Sequence, residues 1–376
     1  MRFEFATAAR IVFGPGTVRD VPAAAAEMGR RALLVTRRSA DFKRAGLAGV
    51  PFPIHFPIDG EPTVDMVRQG TLLAREQDCD LVIALGGGSA IDTGKAIAAI
   101  LGNGGDPLDY LEVVGQAKPL TRPSAPFIAI PTTAGTGSEV TRNAVLASPD
   151  HRVKASLRSP HMLPRLALVD PELTLDLPPA LTASTGLDAL TQLIEPYVSI
   201  RANPMTDLYC AEGMHLAASA LRRAWRDGHD LAARTEMAFA SLLGGLALAN
   251  AGLGAVHGFA APLGGMFDAP HGALCAALLP HAMRINIAAL HGSERLLRYA
   301  AVARILTGRS DATPEDGAAW VGCLCRDLEI RPLRVYGVRE ADVPSLAETA
   351  ARASSMKANP IVLTRGQLEE LLARAI

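Results

Sequence analysis

The sequence predicts two domains of different class: an α/β domain with a parallel sheet over residues 1–179, then an all-helical domain over residues 180–376. Three observations carry this prediction. The apolar run Leu81 to Leu85 stops at Gly86-Gly87-Gly88-Ser89 and passes into a helical pattern bearing Asp92 and Lys95. Similar short runs alternate with helical patterns as far as Val169. Beyond Pro178-Pro179, strand patterns nearly vanish and long Ala- and Leu-rich helical patterns take over. Short apolar runs bounded by glycine read as buried parallel strands, and their alternation with helices reads as βαβ units.

The totals agree with an ordered globular chain. Its 376 residues give each domain length enough to bury a core. It is 49% hydrophobic and 20% charged, with a net charge of −1 and no Lys/Arg block. Neither nucleic acid nor a membrane is therefore an expected partner. The N-terminus alternates like a strand and lacks the apolar core of a signal peptide, and no uninterrupted apolar run is long enough to span a bilayer. The cysteines, Cys79, Cys210, Cys275, Cys323 and Cys325, are odd in number and scattered, with no C-x-x-C. Free thiols in a reducing cytoplasm are expected, with the C-x-C at 323–325 read as core.

In chain order, residues 2–13 read as strands meeting a turn at Gly14-Pro15-Gly16. A helix is predicted from Val18 to Met28 and a buried strand from Ala32 to Thr36. Where an acidic residue would bond a ribose 2′-hydroxyl, the chain has Arg37 and Arg38. Two readings stay open: a solvated surface pair, or tolerance of the NADP 2′-phosphate. Ile54 to Ile58 is the next strand and Val64 to Gln77 the next helix, leading into the central run.

The turn at Gly86 to Ser89 aims free backbone N–H groups and a positive helix end at one spot, which suits a phosphate. It is not a P-loop: Ser89 stands where the first glycine is needed, and Ala96 follows Lys95 in place of Ser or Thr. Nor is it a regular G-x-G-x-x-G, because Ile91 takes the third glycine's place. A crowded turn that needs glycine only for packing is the competing explanation. Gly102 to Asp109 is a turn-rich loop. The strand Phe127 to Ile130 ends in a second glycine- and hydroxyl-rich loop, Pro131 to Glu139. Loops at the carboxyl ends of parallel strands gather around one crevice, so these two together favour diphosphate binding. Val140 to Ala147 and Lys154 to Leu157 read as a hairpin, and Leu166 to Val169 as the last strand before Asp170-Pro171.

In the second domain, Ala180 to Val198 reads as a helix that presents Asp188 and Gln192, four apart, on one face. His257 and His271 each precede a glycine. One carboxylate, one amide and two imidazoles could converge on a divalent metal. A buried aspartate with two satisfied core histidines would give the same spacing.

Taken together, these segments resemble the iron-containing (group III) alcohol dehydrogenase family. The match is carried by Gly86 to Asp92, Pro131 to Thr141, Asp170 to Thr174, Gly186 to Leu190, Glu195 to Ser199, and His257 through His271. It spans nearly the whole chain. The resemblance implies a Rossmann-like dinucleotide-binding N-terminal domain, an all-helical C-terminal domain (the dehydroquinate synthase-like architecture), and an active site in the cleft between them. It implies NAD or NADP as cofactor, held by Gly87, Gly88, Ser89 and Asp92 on one wall and Thr132, Thr133, Thr136 and Ser138 on the other. Lys154 would reach a ribose, and Arg142 and Asn143 would lie near the substrate. Asp188, His257 and His271 match three of four metal ligands, for Fe²⁺ or Zn²⁺. The family's fourth ligand is a histidine, and here it is Gln192. A second family histidine, four residues after the first, is replaced by Ala261. The maleylacetate reductase branch resembles this chain in working without metal, yet its His-His-Lys pattern around 257 reads Val256-His257-Gly258 here.

The expected chemistry is hydride transfer between nicotinamide and a small alcohol, aldehyde or oxo-acid. Charge builds on the carbonyl oxygen, so a cation at Asp188, Gln192, His257 and His271, or a proton donor at His257 or His271, must face it. Arg142 could fork onto a substrate carboxylate, or could simply face solvent. A homodimer or larger homo-oligomer, paired through N-terminal strands, is implied by the resemblance. Two rivals remain: a non-redox synthase of the same architecture, and a nucleotide-binding protein without catalysis.

Overall fold

The computed structural model describes residues 2–38, 47, 49–50, 52–151 and 153–376. The chain divides into two compact units. One comprises Ala6–Thr133 and Gly137–Asp176; the other comprises the N-terminal residues up to Phe5, Ala134–Thr136 and Leu177–Ile376.

The first unit is built on six parallel strands: β1 (Ile11–Phe13), β2 (Ala32–Arg37), β3 (Ile54–Ile58), β4 (Leu81–Gly86), β5 (Phe127–Pro131) and β8 (Leu166–Val169). Strands β6 (Asn143–Ser148) and β7 (Val153–Arg158) form a separate antiparallel pair. The sheet order is β1-β8-β5-β4-β2-β3. From β2 the chain runs out to β3, then returns to β4 and continues the other way to β5 and β8. The order thus reverses between β2 and β4, and the crevice at their carboxyl ends is where ligands bind in open α/β sheets.

Alternation along the strands feeds two cores. Leu33, Val35, Val82 and Ala84 face one, while Leu34, Leu81, Ile83 and Leu85 face the other. The period-two geometry of a strand forces this split, and burial of both faces explains why the strands read as continuous apolar runs. Helices α1 (Val21–Met28), α2 (Val64–Glu76), α3 (Gly88–Asn103) and the short α4 (Pro107–Tyr110) complete the unit. Gly94 lets α3 lie flush on the sheet: a Cβ there would be 2.9 Å from Ala84 Cβ and 3.0 Å from Phe127 Cε2.

The strands and helices fall close to the sequence expectation, with four local departures. The loop expected over Gly102 to Asp109 carries the end of α3 and, capped by Asp106, most of α4. Of residues 2–13, only Ile11–Phe13 is strand. The first helix begins at Val21, because Thr17–Asp20 winds as a 3₁₀ turn and Pro22 suits the first helical turn. The hairpin begins at Asn143, because Ser138–Val140 is also a 3₁₀ turn.

The second unit contains helices α5 (Pro179–Val198), α6 (Pro204–Arg226), α7 (Leu231–Ala251), α8 (Ala255–Met266), α9 (His271–Ala289), α10 (Leu296–Thr307), α11 (Pro314–Asp327), α12 (Val343–Arg352) and α13 (Arg365–Ala375). Helix α5 packs against α6, α7 and α9, and α8 packs against α9 and α12. By length and composition α7 and α9 could cross a bilayer, yet 67% and 72% of their apolar windows are buried within the protein, as in core helices.

Candidate functional site

At the carboxyl end of β4 the backbone turns through Gly86 and Gly87 directly into α3. Gly87 is the N-cap and makes no side-chain cap bond. Its carbonyl accepts the N–H groups of Ala90 and Ile91 at 3.0 and 3.2 Å. The preceding turn is tight, since a Cβ on Gly86 would lie 2.6 Å from Ala90 Cβ. A 16-residue helix thus presents its positive end at the point where the strand order reverses.

The loop after β5 lies beside this turn. Gly86 is in register with Pro131, and Thr132 N–H donates to Gly86 O at 3.0 Å. A Cβ on Gly87 would sit 3.3 Å from Thr133 Cγ2. Gly87, Gly88, Ser89, Thr132 and Thr133, all half-buried, therefore share one end of the sheet. Thr136, also half-buried, belongs to the stretch grouped with the helical unit. Arg37 ends β2 in an exposed position, and the neighbouring Arg38 pairs with Asp59 at 3.0 Å.

Asp92 and Ser138 are tied to each other. Ser138 Oγ donates to Asp92 Oδ1 at 2.6 Å, and Val145 N–H donates to Asp92 Oδ2 at 2.9 Å. Lys95, fully buried, donates to Ser138 O, Thr141 Oγ1 and Asn143 O at 2.7, 2.9 and 2.8 Å. Burial lowers its ammonium pKa to about 8 despite the nearby Asp92 and Glu139 carboxylates. Burial likewise pushes Glu139 up to about 7. Lys154 pairs with Glu61 at 3.2 Å, with little of its side chain exposed. Arg142 and Asn143 are half-buried at the start of the hairpin.

In the helical unit, Asp188 on α5, His257 on α8, and His271 and Cys275 on α9 come together. One ligand atom from each lies within 4.8 Å of all the others. Asp188 Oδ1 is 3.4 Å from His257 Nε2 and 3.7 Å from His271 Nε2. Cys275 Sγ is 3.9 Å from His257 Nε2 and 3.6 Å from His271 Nε2. Glycines make the convergence possible. A Cβ on Gly272 would lie 2.6 Å from Ser184 O, so α9 presses its first turn onto the α5 backbone. A Cβ on Gly254 would lie 2.9 Å from Glu195 Oε1, so the start of α8 seats directly on that carboxylate.

Glu195 orients His257. Its Oε2 accepts the His257 Nδ1–H at 2.7 Å, while Oε1 accepts the Val256 N–H at 2.7 Å. With Nδ1 engaged in this way, Nε2 is the ring nitrogen that faces the cluster. Asn359 Oδ1 holds the adjacent Ala255 N–H at 3.1 Å and is itself held by Asn286 Nδ2.

The charges in the cluster are mutually dependent. Burial would lower both imidazoles, but the Cys275 sulfur and the Asp188 carboxylate outweigh it and raise them. Burial would raise Asp188, and His271 and His257 overcome that to hold it low. Two buried acceptors near this region, Asp188 Oδ1 and Gln192 Oε1, have no hydrogen-bond partner. Buried polar atoms are normally satisfied, and an orphaned pair of oxygens one helical turn apart is what a cation site leaves when the cation is not counted. The donor set of carboxylate, imidazoles and thiol fits a divalent transition metal.

Asp188, His257 and His271 are thus brought together, and Gln192 is buried one turn along α5. Cys275 and Glu195 were not among the residues singled out from the sequence. Both had a signal: Cys275 follows His271 by four residues and Glu195 follows Asp188 by seven, spacings that share a helix face. His281, further along α9, is outside the cluster; burial and the nearby Arg284 and Arg374 push its pKa down to about 4.

A glycine turn at the reversal point of a parallel sheet and a carboxylate–imidazole cluster in a helical unit define a metal-associated, nucleotide-using dehydrogenase class. The chain belongs to the iron-containing alcohol dehydrogenase family: residues 8–171 match that family, and residues 182–376 match the Fe-containing alcohol dehydrogenase family C-terminal region. It is an oxidoreductase of that family. It is 38% identical to a 1,3-propanediol dehydrogenase from Klebsiella pneumoniae, over 96% of this chain and 95% of that one. An NAD-dependent methanol dehydrogenase from Bacillus methanolicus is 32% identical, over 97% of each chain. Among solved structures, a 1,3-propanediol oxidoreductase superposes with a TM-score of 0.92 at 35% identity, over 100% of both chains.

Proposed function

We propose that this oxidoreductase transfers a hydride between NAD(P) and a small alcohol or aldehyde, assisted by a divalent cation in the helical unit. The single observation that carries the metal-assisted reading is the orphaned Asp188 Oδ1 among two imidazoles and a thiol. It favours a metal over the metal-free route of the maleylacetate reductase branch. The names of the relatives support the substrate class and, in the methanol dehydrogenase, NAD.

Each group in this reading has a physical task. Gly87, Gly88 and Ser89 offer backbone N–H groups to the diphosphate, and Thr132, Thr133, Thr136 and Ser138 supply hydroxyls. Arg37, exposed at the reversal point, extends the choice to NADP. Asp188, His257 and His271, with Gln192, hold Fe²⁺ or Zn²⁺. When bound, the cation supplies Lewis-acid polarisation of the carbonyl oxygen, and the nicotinamide gives or takes the hydride. Glu195 keeps His257 in the ligating tautomer. Arg142 and Asn143 face the substrate, with Arg142 favouring an acidic carbonyl.

A cytoplasmic setting belongs to the same reading, supported by five free thiols. Pairing of two copies through β1 is supported by its place at the edge of the sheet.

The test is NADH and NADPH oxidation across an aldehyde and oxo-acid panel, before and after exhaustive chelation and metal add-back. Turnover that chelation abolishes and metal restores supports the proposal. Turnover that survives chelation excludes the metal route, and nicotinamide absorbance that never changes points to a synthase or a non-catalytic binder. Arg142→Ala should raise KM for acidic substrates roughly 10-fold, the cost of a lost charge-assisted bond; an unchanged KM removes the carboxylate role.

A further inference from the structure

We propose that Cys275 Sγ is a protein ligand of the metal, completing an Asp188–His257–His271–Cys275 site that prefers Zn²⁺ to Fe²⁺. This rests on the metal-assisted reading above and departs from it in making Cys275, not Gln192, the fourth donor and in naming the metal that donor selects.

Three observations carry it. First, the four oxygen–nitrogen and sulfur–nitrogen separations match the edges of a metal-centred tetrahedron. Zn–N and Zn–O bonds of about 2.0 Å with a Zn–S bond of about 2.3 Å place N and O ligands ~3.3 Å apart and S and N ligands ~3.6 Å apart. The observed separations are 3.4 and 3.7 Å between Asp188 Oδ1 and the two Nε2 atoms, and 3.9 and 3.6 Å between Sγ and the same nitrogens. Second, Cys275 is completely buried one turn after His271, so sulfur and imidazole project from one face of α9. A thiol needs no such pair of imidazoles for packing alone. Third, the competing donor is weak. Gln192 offers a neutral amide oxygen, whereas a thiolate is a strong ligand for borderline and soft cations.

Charge balances in this set. The thiol proton and any proton on the two Nε2 atoms pass to solvent as the cation enters, so one carboxylate, one thiolate and two neutral imidazoles meet a dication. Thiolate donors favour Zn²⁺ over Fe²⁺ beyond the ordinary order of affinities. Gln192 Oε1 is then left for a water or a substrate hydroxyl beside the metal.

X-ray absorption at the zinc edge of the zinc-loaded full-length protein needs no variant. One sulfur scatterer at about 2.3 Å beside a shell of lighter atoms is expected; a shell of nitrogen and oxygen alone at ~2.0–2.1 Å overturns the inference while leaving the metal reading intact. Zinc that does not bind at all overturns the inference, and the metal reading falls with it only if Fe²⁺ does not bind either. Substituting Co²⁺ gives a second readout: a thiolate-to-cobalt charge-transfer band is expected, lost in Cys275→Ser and kept in Gln192→Ala. A band that survives in folded Cys275→Ser, or cobalt spectra without any such band, also refutes sulfur ligation. Competition between Fe²⁺ and Zn²⁺ should favour Zn²⁺ at least 10-fold more in the native chain than in Cys275→Ala; equal preference refutes the selectivity.

Discussion

The glycine turn of the sheet unit and the ligand cluster of the helical unit solve opposite problems. The turn is contiguous: Gly86 to Ser89 make it with backbone groups, and its geometry follows from one strand running into one helix. The cluster is assembled from α5, α8 and α9, with Asp188 nearly 70 residues before the first histidine in the chain. A site made of backbone tolerates changes of side chain provided Cβ atoms stay out of its way. A site made of side chains fails with any one of them, and depends as much on the glycines that let helices approach.

The largest expected effect tests that dependence. His257→Ala or Asp188→Asn should empty the helical unit of metal and lower kcat/KM by ~10²–10³-fold or more, as for loss of an oxyanion donor. Metal analysis alongside kinetics checks it; retained metal with full turnover would break the contrast. Glu195→Gln should weaken metal affinity roughly 10–100-fold, because the carboxylate that fixes the ring is gone. Direct titration with zinc reads this, and an unchanged affinity would show that Glu195 serves only the start of α8.

On the sheet side the expected losses are in stability and nucleotide binding. Gly94→Ala should cost about 1–3 kcal/mol by overpacking α3 against Ala84 and Phe127, read as a lowered Tm. Gly87→Ala, whose Cβ meets Thr133 at ordinary to tight distance, should leave Tm nearly unchanged and raise KM for the nucleotide.

The smallest effect is a pH slope. Glu139 is raised by burial to about 7, so the folded chain holds that proton more tightly than the unfolded one. Its contribution to stability is full below the unfolded value and is lost as pH rises through about 7, by at most about 1.4 kcal/mol per pH unit. Lys95 is lowered by burial to about 8. Its contribution is present above the unfolded lysine value and is lost as pH falls through about 8. Thermal melts of Glu139→Gln should therefore be flatter below pH 7 than those of the native chain.

Legibility followed the same division. The strands of the sheet could be read because burial on both faces leaves uninterrupted apolar runs, and β3 and β8 fall on the expected residues. Residues 2–10 alternate yet form no strand, because alternation alone does not supply a continuous ladder; ladder pairing to β8 begins only at Ile11. Asp188, His257 and His271 entered through family resemblance. Cys275 was passed over because a cysteine without C-x-x-C spacing reads as an ordinary free thiol, and Asp188 reaches it only once α5 and α9 pack together. Glu195 stood in a quoted motif, but its bond to His257 exists only once α5 and α8 touch. Gly254 and Gly272 were the better clue, because small residues flanking a histidine mark close approach of backbones.

Lys95 and Asp92 give the proposed nucleotide wall a further property. The amine grips three acceptors between Ser138 and Asn143 from beneath, and the carboxylate grips Ser138 and Val145. This segment is therefore frozen when the chain folds. A ligand arriving there need immobilise little but itself, so affinity is not diluted by the entropy of organising a floppy segment.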